Sequence, residues 1–399
     1  MLRFVPPAGA PLEIGQVRRA LRRAVSGKGS AEESLQRFAS RVQVRYVLAA
    51  SSGRAALCAI LRGLHLLRPE RDVVAVPAYT CFSVAASVVR AGLRIYPVDI
   101  DPETLDLDNS GIVAIPPDRL LCIITCNLFG LVNDVPRIRQ IARAKGAFLV
   151  DDAAQALGAS RDGHFAGTMG DVGLYSLGRG KALSAGEGGL IVTDTEEIAA
   201  AIRSEVEALP APSMTHNAHL LLQVLAYAVF LRPRLYWIPN SLPFLGLGTT
   251  EFEPNFAASR LPLLPRALVA ELLDKLVEIN RVRVRHAERL AQAFAEHPDF
   301  SLPKPASGSE PIYVRFPVIA RNASIRSCAL ARLRAAGIGA SAFYPTAICD
   351  IPAISRYMAS DQFHRPRAEE MARRLLTLPT HPFVTRRDLD RMIQILETC

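Results

Sequence analysis

Between about residue 44 and residue 194 the chain alternates short, continuously apolar runs with stretches whose apolar residues recur every three or four positions. The runs 44–50, 73–79, 94–100, 120–126, 147–152, 172–177 and 190–194 are rich in Val, Ile and Leu and predict strands. Helical periodicity between them predicts helices over 54–67, 84–91 and 135–145. Strands apolar on both faces and separated by helices belong to a mostly parallel sheet covered on both sides. Ligands of such sheets sit beyond the carboxyl ends of the strands, so polar residues just after a strand are the ones to inspect. After a proline-rich stretch the pattern changes to a long helix from Pro265 to about His297, a strand over 312–320, a helix over 324–336 and a closing helix after Thr385. The reading is an α/β protein with a large, mostly parallel-sheet domain, 1–250, and a smaller C-terminal α/β domain, 251–399.

Composition narrows the class. Half of the 399 residues are hydrophobic, a fifth are charged and there is no low-complexity tract, which describes a folded globular chain. The net charge of +9 comes mainly from scattered arginines, a surface that attracts anions. No zinc-ligand spacing or aromatic-interleaved basic stripe accompanies it, so neither nucleic acid nor a metal is expected. The seven cysteines lie mostly in apolar stretches without a CxxC pair, as free thiols in a reducing compartment do, and the amino terminus lacks the apolar core of a signal peptide. A cytoplasmic location is expected.

One segment stands apart. Residues 220–231 (LLLQVLAYAVFL) are apolar but for Gln223, precede Arg232 and Arg234, and lead into YWIPNSLPFLGLG, forming an apolar insertion at about 205–250. The run is too short to span a bilayer. It reads as a buried or interface helix, with contact to a membrane surface as the alternative.

Chemistry concentrates in two places. VDDAAQALGA (150–159) ends a strand in two acids, and YSLGRGKALSAGEGGLIVTD (175–194) carries Lys181 in a glycine-rich loop between two strands. Pyridoxal phosphate needs a lysine amine to hold it, a carboxylate to keep its ring nitrogen protonated and a phosphate cradle of amides and hydroxyls. Lys181, Asp152 and the region of Gly53 and Ser176 can supply these, since SSGRAAL (51–57) sits where a strand runs into a helix N-terminus, which favours an anion. Arg54 can add a charge-assisted contact.

These segments, together with VPAYTCFS, AGLRIYPVDIDPETLDLD, CNLFG, FYPTA and LTLPTHPF in that order, resemble the DegT/DnrJ/StrS family of aminotransferases through nearly the whole chain. The resemblance implies a fold type I pyridoxal-phosphate-dependent transferase that forms a homodimer with active sites near the subunit interface. It implies Lys181 as the Schiff-base lysine, Asp152 at the ring nitrogen, Gln155 at the phenolic oxygen, Ser176 on the phosphate, and Gly53 and Arg54 in the phosphate-binding turn. Lysine at 181 also separates the chain from the family's dehydratase branch, which has histidine there.

Departures surround the same site. Cys81 stands where many members carry the aromatic that stacks on the cofactor, leaving Phe82 or Tyr79 as candidates; Arg54 replaces a usual threonine; and the segment by which the partner chain reaches the phosphate is altered, with Asn255 and Arg260 as possible counterparts. The expected activity is transfer of an amino group, from glutamate by family habit, to a keto sugar carried on a nucleotide, in polysaccharide or secondary-metabolite sugar synthesis. A keto cyclitol, a lipid-linked sugar, or a cofactor-binding regulator without turnover are the alternatives.

Overall fold

The computed structural model describes residues 3–26, 31–242, 245–246, 248, 250–360 and 363–399. All seven expected strands form, with bounds that match or move by one or two residues: β1 (Tyr46–Ala50), β2 (Val73–Pro77), β3 (Arg94–Val98), β4 (Leu120–Cys126) and β5 (Phe148–Asp152), then, after a two-residue hairpin of β6 (Ser160–Arg161) and β7 (His164–Phe165), β8 (Val172–Ser176) and β9 (Gly189–Thr193). They make one sheet in the order β1-β9-β8-β5-β4-β2-β3. Pairing is parallel from β3 through β8, while β9 runs antiparallel to both β8 and β1. The reversal follows from the connection: residues 177–188 contain no helix, so the chain turns back beside β8 instead of crossing over.

Successive side chains leave a strand on opposite faces. Val74 and Val76 of β2 join the core that holds the helices Gly53–Leu67 and Phe82–Arg90, whereas Val73 and Ala75 join the core that holds Phe38, Ile138 and Leu268. Both faces are thus covered by apolar side chains, which accounts for strands without a polar face.

The long helix runs from Leu263 to Phe294, about 48 Å at 1.5 Å per residue. Its first half packs under the large sheet through Leu268, Leu272 and Leu276, and its end, through Leu290 and Phe294, enters a third core. That core backs a three-stranded sheet, β10-β12-β13, of Phe300–Ser301, Arg315–Ala320 and Leu375–Pro379, together with Val5 near the chain start. The intervening β11 (Ser309–Glu310) pairs with β6 instead. The strand expected from Ile312 starts at Arg315, because Tyr313 sits in the left-handed region (φ 47°) and interrupts extended backbone. Strand β13, Leu375 with the LTLP of LTLPTHPF, carried no strand expectation of its own.

The apolar run lies in the helix Met214–Phe230, capped by Ser213, whose hydroxyl accepts from the His216 amide at 3.1 Å. Only the stripe Leu220, Val224 and Ala228 is buried; Leu222 is 65% exposed. Among the described residues no helix is long and apolar enough to cross a membrane. The stripe sits on the lysine loop: a Cβ at Gly186 (φ +89°) would come within 2.7 Å of a Val224 methyl.

Candidate active site

The strands β1, β2, β4, β5 and β8 point the same way, so their carboxyl ends share one edge of the sheet. At the end of β5 the pleat divides the two acids. Asp151 faces one side and is locked by donors: Asn127 Nδ2 at 2.7 Å, Gly167 N at 2.8 Å and Met169 N at 3.2 Å. Asp152 faces the other side, where its Oδ1 accepts from Ala154 N at 2.8 Å and its Oδ2 from the Cys126 thiol, a weak donor, at 3.8 Å. Burial raises the Asp152 pKa, and the charge of Lys181 opposes that rise. Burial likewise pushes Asp151 up to about 6, against its donors. Asp152 is therefore a buried carboxylate that faces a cation, and Asp151 a structural clamp.

The Lys181 loop is fixed from three directions. Leu177 N donates to Gly188 O and Ala185 N to Leu177 O, both at 2.9 Å, closing the loop on itself. Val224 presses on Gly186 from one side. From another comes Arg283 of the long helix, whose fully buried guanidinium donates to the carbonyls of Ala182 and Gly9, each at 3.0 Å, and to Asn280 Oδ1 at 2.8 Å. Nothing in the sequence marked Arg283 among its many neighbours of the same type.

Gln155 reaches the site across 189 positions: its Nε2 donates to the Tyr344 hydroxyl at 2.9 Å while its Oε1 accepts from Phe129 N at 3.3 Å. Tyr344, from the FYPTA stretch, packs edge-on against Tyr79 and tilted against Phe82, with ring centroids 5.6 and 6.4 Å away. The Tyr79 hydroxyl is itself used, donating to the Phe343 carbonyl. Burial pushes both phenols well up from their ordinary value.

The expected cradle is also assembled. Ser52 caps the helix Gly53–Leu67, its Oγ accepting from Ala55 N at 3.1 Å. A Cβ at Gly53 would stand 3.2 Å from Ser176 Oγ, so only glycine leaves the helix N-terminus open beside that hydroxyl. Ser176 Oγ accepts from Gly178 N at 3.3 Å and keeps its own proton to donate. The Arg54 guanidinium lies elsewhere, 4.9 Å over the ring of Phe256, which Arg90 covers at 4.7 Å. The altered segment packs on this same turn: Ser51 N donates to Ser259 O and Ser259 N to Ser51 Oγ. Through their backbone amides Asn255 donates to Glu253 Oε1 and Arg260 to Pro210 O.

Lys181 and Gln155 open onto a cavity of about 670 Å³ that the helix Met214–Phe230 and the residues after it help to enclose. An open helix N-terminus with a serine hydroxyl, a buried carboxylate short of partners and a lysine fit pyridoxal phosphate, and with a seven-stranded sheet carrying one reversed strand they define a fold type I enzyme of that cofactor. The chain belongs to the DegT/DnrJ/EryC1/StrS aminotransferase family, whose model matches residues 9–397. It is a pyridoxal-phosphate-dependent aminotransferase. It is 27% identical to the UDP-N-acetyl-3-dehydro-alpha-D-glucosamine 3-aminotransferase of Acidithiobacillus ferrooxidans, over 88% of this chain and 84% of that protein. It is 30% identical to an L-glutamine:2-deoxy-scyllo-inosose aminotransferase of Streptoalloteichus tenebrarius, over 73% of this chain and 64% of that one. The E. coli GDP-4-keto-6-deoxy-D-mannose-3-dehydratase with bound hydrated PLP shares the fold, with a TM-score of 0.78 at 22% identity over 99% of this chain and all of the other.

Proposed function

We propose that the enzyme moves an amino group from glutamate to the keto carbon of a sugar ring, with Lys181 as the proton-carrying amine. The observation that carries this is that Lys181 opens onto the cavity while its charge acts on Asp152, buried at the neighbouring strand end. When bound, pyridoxal phosphate supplies an electron-accepting ring that stabilises negative charge on the carbon losing a proton. Asp152 would hold that ring's nitrogen protonated, Gln155 would bond its phenolic oxygen, and Ser176 with the amides of Gly53 and Arg54 would hold its phosphate. Lys181 Nζ takes the proton from the donor's α-carbon and later returns one to the acceptor's ring carbon, a general acid and base role. In the net exchange the donor leaves as a keto acid and the acceptor's C=O becomes CH–NH2.

A keto cyclitol is the second reading, favoured by the relative whose name gives 2-deoxy-scyllo-inosose, and that name also makes glutamine the donor to compare. The relative from Acidithiobacillus acts, by its name, on a ring carried by UDP, which supports a nucleotide carrier, whereas the cavity lining supports an apolar one. A homodimer belongs to the same proposal. Purified protein should be yellow, lose that colour on mixing with glutamate or glutamine, and regain it with a keto acid. A Lys181→Ala protein that still completed turnover would sink the reading, and cofactor binding without colour loss across a donor panel would favour a regulator.

A further inference from the structure

The cavity over Lys181 is within the roughly 300–1,000 Å³ range of small-molecule sites, yet its walls suit a polar carrier poorly. Away from the lysine end its lining is mostly apolar, through Phe230, Leu231, Ile238, Pro239, Leu242 and Leu245, with His219, Gln223, Thr250 and the hydroxyls of Tyr227 and Tyr236 as the polar groups there. A nucleotide buried here would leave most of its base and ribose without partners, each such group costing free energy. An aliphatic chain would gain by entering.

Cations stand at the lysine end. Arg179 and Arg315 both line the cavity beside Lys181. Arg315 is half-buried, and its contacts are neutral: the Pro7 carbonyl at 3.2 Å, Ser341 Oγ at 3.5 Å and the Phe343 ring at 4.3 Å. Among the described residues no carboxylate pairs with it. A half-buried guanidinium without a carboxylate partner, opening on a ligand cavity, is a place for a phosphate or carboxylate.

The outside of the same element is apolar as well. Of the ten exposed large hydrophobic side chains among the described residues, five fall within 214–245: Met214, Leu222, Trp237, Leu242 and Leu245. Leu242 and Leu245 also line the cavity, so its apolar wall continues onto the surface, and the exposed Arg232 and Arg234 lie in the same stretch. An apolar surface with arginines beside it matches the interface of an anionic membrane.

We propose that the acceptor is a membrane-resident amphiphile, a keto-sugar ring joined through phosphate to an aliphatic chain, with the ring at Lys181, the phosphate at Arg315 and Arg179, and the chain in the apolar cavity. The proposal rests on the reading of Lys181 as the reacting amine, and it names the carrier.

The chain's single tryptophan, Trp237, lies between two cavity residues and reports on occupancy. The holoenzyme is titrated with n-alkyl phosphates of increasing length, inorganic phosphate and UDP while Trp237 emission is followed. A saturable blue shift is expected for the alkyl phosphates, with affinity rising about fourfold per methylene until the cavity is full, and none for inorganic phosphate or UDP. Phe230→Asp should weaken the longest alkyl phosphate at least tenfold, and Arg315→Met should weaken alkyl phosphates but not the matching alcohols. Affinity independent of chain length, UDP binding as tightly as the long alkyl phosphates, or a cavity closed to every chain by a second copy of the protein would each overturn the proposal. The length series on the unaltered protein decides this even if a variant does not fold. Sedimentation with phosphatidylglycerol vesicles is expected, and reduced in a Trp237→Asp, Leu242→Asp double variant; no sedimentation would remove the route to a membrane lipid and overturn the proposal too. Colour loss on glutamate, read without acceptor, tests only the transaminase. If that response is intact while chain-length dependence fails, the amphiphile is wrong; the opposite pair of results sinks the transaminase.

Discussion

The side-chain amide of Gln155 donates to the hydroxyl of Tyr344 at 2.9 Å, joining the turn after β5 to a stretch of chain that lies beyond the small sheet's central strand. Tyr344→Phe keeps the ring packed against Tyr79 and Phe82 but frees the Gln155 amide. A neutral hydrogen bond of this kind is worth about 1 kcal/mol. Cofactor release should accelerate about fivefold, with the fold unchanged by circular dichroism, when release is followed after dilution into apo-trap conditions.

Asp152→Asn removes a buried charge at nearly constant volume. The phosphate cradle and Lys181 are untouched, so the variant should still load cofactor and turn yellow. Because the charge that would hold the ring nitrogen protonated is gone, colour loss on mixing with glutamate should slow by about 10²-fold or more in stopped flow. An unchanged rate would remove Asp152 from the chemistry.

Arg283→Met deletes donors to Ala182 O, Gly9 O and Asn280 Oδ1 inside the protein. The stranded acceptors predict a loss of about 3 kcal/mol or more, read as a lower urea midpoint. Cofactor occupancy should fall with it, since Ala182 O, next to Lys181, is one of those acceptors. Arg283→Lys, which keeps the charge but not the fork, should recover only part of both.

His381 sets an acid limit. Its Nε2–H donates to the Pro6 carbonyl at 2.8 Å and its Nδ1 accepts from Phe383 N at 3.3 Å, which requires the neutral ring. Burial takes its pKa down to about 4 from 6.5. The unfolded chain then takes up a proton that the folded one refuses, so the stability tied to His381 is full above pH 6.5 and drains as pH falls towards 4. About 3 kcal/mol is at stake, at 1.36 kcal/mol per unit. Denaturant titrations at pH 7 and pH 5 should show the drop, and His381→Gln should flatten it.

The strands were legible because parallel strands buried on both faces cannot hide their apolar runs, and Lys181 stood out by its glycines. What stayed illegible depends on three dimensions. Alternation along β5 says that Asp151 and Asp152 face opposite ways, but the donors that clamp Asp151 come from Asn127, Gly167 and Met169, which only the fold brings beside it. Arg283 and Arg315 look like any of the chain's arginines until the fold buries the one and turns the other onto the cavity, neither with an acid beside it among the described residues. Tyr344 lies 189 positions from the Gln155 that it meets. Arg54, expected on a phosphate, has its guanidinium over the ring of Phe256, a contact between a cation and an aromatic face that the sequence does not announce.

The helix Leu263–Phe294 roots in the core beneath the large sheet, carries Arg283 past the lysine loop and ends in the core of the small sheet. A rod seated in two cores at once couples their melting: losing either end frees the carbonyls that Arg283 holds and slackens the other. Two sheets of such different size would otherwise melt at separate temperatures. Here heat should take the whole molecule in a single calorimetric peak, and the Lys181 loop should have no temperature range in which it comes loose while the rest stays folded.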